Sequence, residues 1–240
     1  MDTSAPVVVT AGGTREPLDD VRAITNSSTG RFGAELARAL HHRGAPVVLI
    51  GAAAMEGLVR ELPADVDFRP FRSSAELAAR LDEIARDPVA AVLMAAAVAD
   101  YLPEPATGKI RSDLETLDLR LRRAPKLLTG LRARFGPETR LVGFKLLSGA
   151  TPERLVEVAS GQRAGAALDA TFANDLRELG GPRHPGWWVT ASGAERLDGA
   201  VADVAGAVAD RVLDAPAPRV PSVGGWPRAG RWAVDPGDGA

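Results

Sequence analysis

An apolar run, Val7 to Val9, passes directly into Thr10-Ala11-Gly12-Gly13-Thr14-Arg15-Glu16-Pro17. A buried strand ending in paired glycines can turn sharply and bring backbone N–H groups close to an anion. Further on, Ile24-Thr25-Asn26-Ser27-Ser28-Thr29-Gly30-Arg31-Phe32-Gly33 leads into an amphipathic helix. Its Ser/Thr-rich start offers more free N–H groups and the positive end of a helix dipole. Two anion-ready turns at one strand end mark the place where an open α/β sheet receives its ligand.

The rest of the chain repeats that alternation. Val7 to Thr10, Pro46 to Ile50, Val66 to Phe71 and Val89 to Ala95 read as short buried strands, with helical periodicity between the later ones. This predicts a Rossmann-like, doubly wound, mostly parallel sheet with helices on both faces. Phe32 to Arg43 is a helix with Phe32, Leu36 and Leu40 on one face, closed by Gly44. Its His41-His42-Arg43 tail suits the negative end of a helix dipole better than a metal site. Leu102 to Glu115 has the composition of a mobile loop, and Thr116 to Arg122, with Leu117, Leu119 and Leu121 alternating, reads as a half-exposed strand. Pro125 to Arg134 reads as a helix, Arg140 to Leu147 as a strand, Thr151 to Arg163 as a helix and Ala167 to Ala173 as a strand ending in Asn174-Asp175. A hairpin over Trp187 to Thr190 and Glu195 to Leu197 and a helix over Ala200 to Leu213 complete a single domain, 1–213. Residues 214–240, rich in Pro and Gly with Trp226 and Trp232 among them, read as a disordered tail.

Composition removes several function classes. A formal net charge of −2 is not that of a nucleic-acid binder, which needs a basic face. No apolar run reaches the roughly 18 residues of a spanning helix, and no signal-like start precedes Val7, so a cytoplasmic protein is expected. With no cysteine, disulfides, thiol catalysis and cysteine-held metals are excluded. Of 29 basic residues only Lys109, Lys126 and Lys145 are lysines. In a chain that writes its cations as arginine, a lysine suggests a site wanting a compact, mobile ammonium.

A nicotinamide site would need three glycines in one tight turn opening into a helix, and an acid ending the second strand. Here a long stretch separates Gly12-Gly13 from the helix, and the second strand runs out as Leu49-Ile50-Gly51-Ala52-Ala53. A P-loop is missing too, since no Gly-Lys-Ser/Thr follows the turn. Arg22 and Asn26 are more informative. They lie four residues apart in a loop, and an Asn side chain can both donate to and accept from a carboxylate or acyl group. Read alone, Asn26 is equally a turn residue, Asp100 a loop cap after a strand, and Lys109 a solvated cation.

Together these stretches resemble the phosphopantothenate-cysteine ligases, or phosphopantothenoylcysteine synthetases. The resemblance is carried by Thr10 to Pro17, Val21 to Gly30, Ala95-Ala96-Ala97-Val98-Ala99-Asp100-Tyr101, Gly108-Lys109-Ile110, Ala124-Pro125-Lys126, Val142-Gly143-Phe144-Lys145-Leu146-Leu147 and Ala173-Asn174-Asp175. They occur in the family's order across roughly residues 6–213 and look most like the stand-alone bacterial type. The flap departs from the common bacterial Lys-Ile-Lys-Lys, reading Lys109-Ile110-Arg111-Ser112, which leaves Lys109 as the matching cation.

The resemblance implies a two-step ligation. The carboxylate of 4'-phosphopantothenate attacks the α-phosphorus of a nucleoside triphosphate, giving an acyl nucleotidylate and pyrophosphate, and the amine of cysteine then displaces the nucleotide. It implies that Gly12, Gly13, Thr14, Ser28, Thr29 and Gly30 serve the phosphates, with Asp100, Lys126 and Lys145 in the nucleotide site. Lys109 would close over the triphosphate, Asn26 would hold the acyl intermediate, and Arg22 would support that loop. The base would lie near Ala97, Phe144, Asn174 and Asp175. Mg²⁺ would be carried by phosphate oxygens without a protein cage. CTP is the expected co-substrate, ATP the alternative, because bacterial members generally use CTP and Asp175 is acidic where the eukaryotic pattern is not. A homodimer is implied, built through a small antiparallel extension around Leu117 to Leu121. Two rival readings fit the same residues: a paralogue with this chemistry on another acid and amine, and a non-catalytic nucleotide-binding regulator.

Overall fold

The computed structural model describes residues 5–215. Strand β1 (Val7–Ala11), buried at all five positions, is followed by a small hairpin of β2 (Arg15–Pro17) and β3 (Ala23–Thr25), then by helix α1 (Arg31–His41). Next come β4 (Val47–Ala52), α2 (Glu56–Val59), β5 (Asp67–Phe71), α3 (Ser74–Ile84) and β6 (Ala91–Met94). The second half holds β7 (Tyr101–Pro103), β8 (Leu121–Arg123), α4 (Leu131–Phe135), β9 (Arg140–Leu147), α5 (Pro152–Gly165) and β10 (Ala170–Asp175). A hairpin, β11 (Gly186–Thr190) with β12 (Gly193–Leu197), and helix α6 (Val201–Asp214) close the chain.

The main sheet runs β12-β11-β10-β9-β6-β1-β4-β5. From β5 to β10 every pairing is parallel, and the β10-β11-β12 edge is antiparallel. Numbered by their order along the chain, the parallel strands lie 3-2-1-4-5-6, the doubly wound order whose switch point falls between the first and fourth, here β1 and β6. The expected fold class holds, and its cause is visible in composition: β1, β4 and β6 are continuous apolar runs because both faces of these central strands are covered. Pro70 lies in β5, an edge strand, where a missing N–H is tolerated. Helix α1 packs on β1 and β4 and carries α6, while α5 packs over β9, β10 and β11.

Three expectations are corrected. Thr116 to Arg122 is not a half-exposed strand: only Leu121–Arg123 pairs, with Tyr101–Pro103, and all three of its residues are exposed. The alternation of leucines there finds no covering face among the described residues, so it cannot organise a longer strand. The Pro125 to Arg134 helix is a 3₁₀ turn, Leu127–Gly130, followed by α4, because Gly130 interrupts it. The β10 strand begins at Ala170, since Ala167 sits at φ 51°, outside the extended region. The tail expected at 214–240 lies, after Ala215, outside the described residues.

Candidate functional site

The first residues beyond β1 and β6 extend the sheet past its regular strands. Gly13 bridges Ala97 in parallel, Thr14 N–H donates to Ala97 O (3.1 Å) and Ala97 N–H to Gly12 O (2.8 Å). Thr10 and Thr14 lock this seam from beneath: their hydroxyl oxygens accept from Ala96 N–H (3.0 Å) and Ala99 N–H (3.1 Å). The two glycines are required for different reasons. Gly12 has φ 84° and lies so close to β4 that a Cβ would fall 2.5 Å from Ala52 Cβ. A Cβ on Gly13 would fall 2.7 Å from the backbone oxygen of Asn26. The predicted turn therefore sits at the switch-point crevice, with the Asn26 segment lying directly on it.

Asn26 is exposed and reaches into this seam, its Nδ2 donating to Ala97 O at 3.2 Å. Thr25 Oγ1 donates to Thr14 O (2.8 Å) and Ser28 N–H to Asn26 O (2.8 Å), so the segment after β3 is pinned to the segment after β1. Gly30, at φ 77°, starts α1 with no acid in the first turn; Arg31 N–H donates to Thr29 Oγ1 (3.3 Å), and the next two amides of this eleven-residue helix have no intrahelical acceptor. Gly33 lets that helix ride directly on Ala11. Of the residues read as anion-binding, Gly12, Gly13, Ser28, Thr29 and Gly30 gather at this strand end, whereas Thr14 is fully buried with its N–H on Ala97 O and its hydroxyl oxygen on Ala99 N–H, so it holds the seam and does not face a phosphate.

The flap cation Lys109 is exposed, and the chain beside it is held by the loop between β2 and β3. Asp19, whose side chain is fully buried, accepts at Oδ1 from Val21 N–H (2.8 Å) and Arg22 N–H (2.6 Å). At Oδ2 it accepts from Arg22 Nη1 (2.8 Å) and Ile110 N–H (3.0 Å). Burial alone would raise its pKa, but the hydrogen bonds from Ile110, Val21 and Arg22 and the Arg22 charge outweigh that and hold it at about 2. Arg22 Nη1 also donates to Ile110 O (3.0 Å). Asp19 was not singled out in the sequence, nor was Glu16, a buried carboxylate that accepts from Ser74 N–H (3.0 Å) at the start of α3. The signal was the Asp-x-x-Arg spacing that joins Asp19, in the gap between the two marked stretches, to Arg22 at the start of the second. A cleft of about 690 Å³, bordered by Gly13, opens between this hairpin and α3, with Arg15, Arg22 and Arg72 among its walls.

At the other strand ends the expected residues separate. Lys126 Nζ is paired with Asp100, and Ala124 N–H donates to Asp100 O (2.9 Å), joining the loop after β6 to the Ala-Pro-Lys stretch. Phe144 packs edge-on against Phe32 of α1 (6.0 Å between centroids). Lys145, the next residue of the same strand, points to the opposite face of the sheet, so it does not share Phe144's surroundings. Asn174 Nδ2 lies 3.2 Å from His184 Nε2, and the His184 ring stacks on Phe32 at 4.0 Å. Burial, and next the Arg31 charge, lower the His184 pKa to about 4. Asp175 does not fit the base-reading role expected for it. It accepts from Ala150 N–H at Oδ2 (2.6 Å), which fastens the β9–α5 loop, and from Arg177 N–H at Oδ1 (2.8 Å), which caps the turn after β10; both bonds lower its pKa. His41 pairs with Asp65 at 2.8 Å on the surface. Among the described residues no group of three or more His, Asp or Glu is arranged to hold a metal, and no helix is long and apolar enough to cross a membrane.

Fold and site together define a doubly wound α/β protein of Rossmann type, with a glycine-lined, amide-rich crevice at its strand switch point. The family profile described as "DNA/pantothenate metabolism flavoprotein C-terminal domain" matches residues 3–214, and the chain belongs to that family. It is 34% identical over 177 residues to the coenzyme A biosynthesis bifunctional protein CoaBC of Thermococcus kodakarensis, covering 72% of this chain and 42% of that one. Against the protein of the same name from Mycobacterium tuberculosis it is 37% identical over 201 residues, 79% and 47% of the two chains. The chain therefore spans half or less of the length of the curated relatives it matches. Among solved structures, the DNA/pantothenate metabolism flavoprotein of Streptococcus pneumoniae superposes with a TM-score of 0.78 at 24% identity, covering 88% of this chain and 99% of that one. A Cab2 mutant in complex with phosphopantothenate-cysteine superposes with a TM-score of 0.72 at 17% identity, covering 88% and 86%. At these identities the structures establish the common fold.

Proposed function

We propose that this protein is a nucleotide-dependent amide ligase that joins 4'-phosphopantothenate to L-cysteine, with CTP as the activating nucleotide, in coenzyme A biosynthesis in the cytoplasm. The observation that carries the reading is Asn26. The residue that the resemblance assigns to the acyl intermediate is fixed by its Nδ2 to Ala97 O, on the seam formed by Gly12, Gly13 and Ala97. That hydrogen bond orients the amide and leaves Oδ1 as an acceptor toward the crevice.

In the first step a substrate carboxylate oxygen bonds to the α-phosphorus and the bond to pyrophosphate breaks. No protein nucleophile is needed, and the work of the site is positioning and charge neutralisation. The open amides of α1 and the Gly12-Gly13 turn donate to phosphate oxygens, and Lys109 meets the charge that develops on the α-phosphate and the leaving pyrophosphate. Lys126, paired with Asp100, exchanges that partner for the triphosphate when the nucleotide binds. In the second step the cysteine nitrogen bonds to the acyl carbon, the nucleotide leaves with the electron pair of the acyl–phosphate bond, and the amine proton passes to solvent. Asn26 Oδ1 accepts from the incoming amine. Asp100 is the exposed carboxylate at this crevice, a donor set that fits Mg²⁺ carried in by phosphate oxygens. When bound, the ion supplies further charge neutralisation.

The assembly that goes with this reading is a homodimer formed through the β7–β8 extension. Leu114, Leu117, Leu119, Leu121 and Tyr101 are all more than 40% exposed there, a larger apolar cluster than a solvated arm keeps uncovered.

Purified protein should release pyrophosphate from CTP only when 4'-phosphopantothenate is present, and form the amide only when cysteine is added. Release with ATP and not CTP would refute the nucleotide assignment. Silence with both, from folded protein that binds one of them, would favour the paralogue reading and refute this acid.

A further inference from the structure

The segment bearing Lys109 has the composition of a mobile loop, yet on both sides of Lys109 its backbone is tied to the turn between β2 and β3. Ala106 N–H donates to Leu18 O (2.8 Å) and Asp20 N–H to Gly108 O (3.4 Å). Beyond Lys109, Ile110 N–H donates to Asp19 Oδ2 (3.0 Å), and Ile110 O accepts from Arg22 Nη1 (3.0 Å). Lys109 is the exposed residue between two fastened neighbours, and Gly108, at φ 75°, supplies the turn that leaves its side chain free.

Within this arrangement Asp19 does two separable things. Oδ1 closes the local turn on Val21 and Arg22, which any Asx residue at a turn could do. Oδ2 reaches 91 residues along the chain to Ile110 and also orients the guanidinium that holds Ile110 O. The local turn does not need that second oxygen. A buried, charged acceptor is also a costly way to bind one amide unless holding that amide matters.

We propose that Asp19 is a positioning residue for the flap: it fixes the chain on the far side of Lys109, and thereby fixes where the Lys109 ammonium meets the phosphates. The proposal rests on the role given to Lys109 above, and its two halves can be tested apart.

Asp19→Asn is the selective cut. If the substituted side chain keeps its oxygen on Val21 and Arg22, its amide nitrogen replaces the oxygen that faces Ile110 N–H and Arg22 Nη1, setting donor against donor. Hydrogen exchange followed by mass spectrometry should then show at least about a tenfold faster exchange for residues 107–112, with residues 20–25 changed less than about threefold. In pyrophosphate release, kcat should fall about tenfold or more with the nucleotide KM within about threefold. In a Lys109→Ala background the same substitution should cost no more than about twofold, because Asp19 acts through Lys109. Unchanged flap exchange, or an undiminished loss in the Lys109→Ala background, would overturn the proposal. Should Asp19→Asn fail to fold, Ile110→Pro deletes the bound flap amide, leaves the three hairpin bonds of Asp19 in place, and must give the same pattern. A wild-type protein that releases no pyrophosphate would refute the ligase reading and the Lys109 half, while the exchange result alone would still decide whether Asp19 fastens the flap.

Discussion

Gly13→Ala is the substitution that best tests whether this crevice is the reacting site. Gly13 is not among the glycines with positive φ, so alanine brings no backbone strain there, and its whole effect is steric. The new Cβ would stand 2.7 Å from Asn26 O and 3.5 Å from Asn26 C, where ordinary contact begins at 3.4 Å. The obstacle is backbone, so it cannot rotate aside. Relief needs a movement of about 0.7 Å, the difference between 3.4 and 2.7 Å, by the Asn26 segment away from the Gly13–Ala97 seam. Overpacking of this kind costs about 1–3 kcal/mol, which for a domain of this size lowers Tm by roughly 3–9 °C. A displacement approaching 1 Å between reacting groups costs up to about a hundredfold in rate, so ligation should fall about tenfold to a hundredfold in protein that is still folded at 25 °C. The control is Gly161→Ala in α5, where a Cβ meets nothing within 4 Å and helix propensity should add about 0.5–1 kcal/mol. Differential scanning fluorimetry and a coupled pyrophosphate assay read both variants. If Gly13→Ala loses stability yet keeps its rate within about twofold, Asn26 does not act from this seam and the site assignment is refuted.

Lys109→Ala should lower pyrophosphate formation by about a hundredfold to a thousandfold while changing nucleotide affinity by less than about fivefold; equal losses in rate and affinity would make Lys109 a ground-state contact. Arg132, fully buried, donates to Gly136 O, Thr139 O, Ala167 O and Asp169, so Arg132→Ala should cost about 3–5 kcal/mol in urea denaturation, and a loss below about 1 kcal/mol would contradict that account. His184 has a folded pKa of about 4 against an ordinary 6.5. The unfolded chain therefore binds the extra proton between those values, and the stability that His184 contributes is whole above pH 6.5 and lost as pH falls toward 4. The urea midpoint of His184→Gln should fall less steeply than wild type across that window, and parallel slopes would remove His184 as the cause. Leu119→Asp should turn the expected dimer into a monomer by light scattering on a sizing column; an unchanged mass would place any interface elsewhere.

Where the chain spells its structure locally, the sequence was readable. The apolar runs of β1, β4 and β6 are buried on both faces, so their composition reports their environment without knowledge of partners. The motifs at Gly12-Gly13, Ala95 to Asp100 and Asn174 fall at the carboxyl ends of β1, β6 and β10, where the doubly wound topology gathers them. What escaped was set by distant partners. The three-residue strands β2, β3 and β7 are too short to show a period and exist because they pair. Asp175 is acidic beside a nucleotide motif, but its duty is decided by the Ala150 amide on a neighbouring loop. Asp19 looks like any loop aspartate until Ile110 is placed beside it.

These misses share a physical pattern that bears on the chemistry. The crevice itself is built from backbone: Gly12, Gly13, Ala97 and the open amides of α1, groups a sequence declares only through its glycines. The charged side chains in and beside these motifs act at one remove. Asp19 and Arg22 hold the flap, Asp175 holds the β9–α5 loop, and Asp100 holds Lys126. A reaction whose nucleophiles are both supplied by substrates asks the protein for fixed dipoles and a few mobile cations, and fixed dipoles are costly only in the bonds that keep them fixed. It follows that conservative changes at the fastening carboxylates should lower turnover although they touch no substrate, by less than the loss of the donor or cation they hold in place. Loss of a fastening bond moves a donor by a fraction of an ångström, and the transition state is stabilised only by donors already in place.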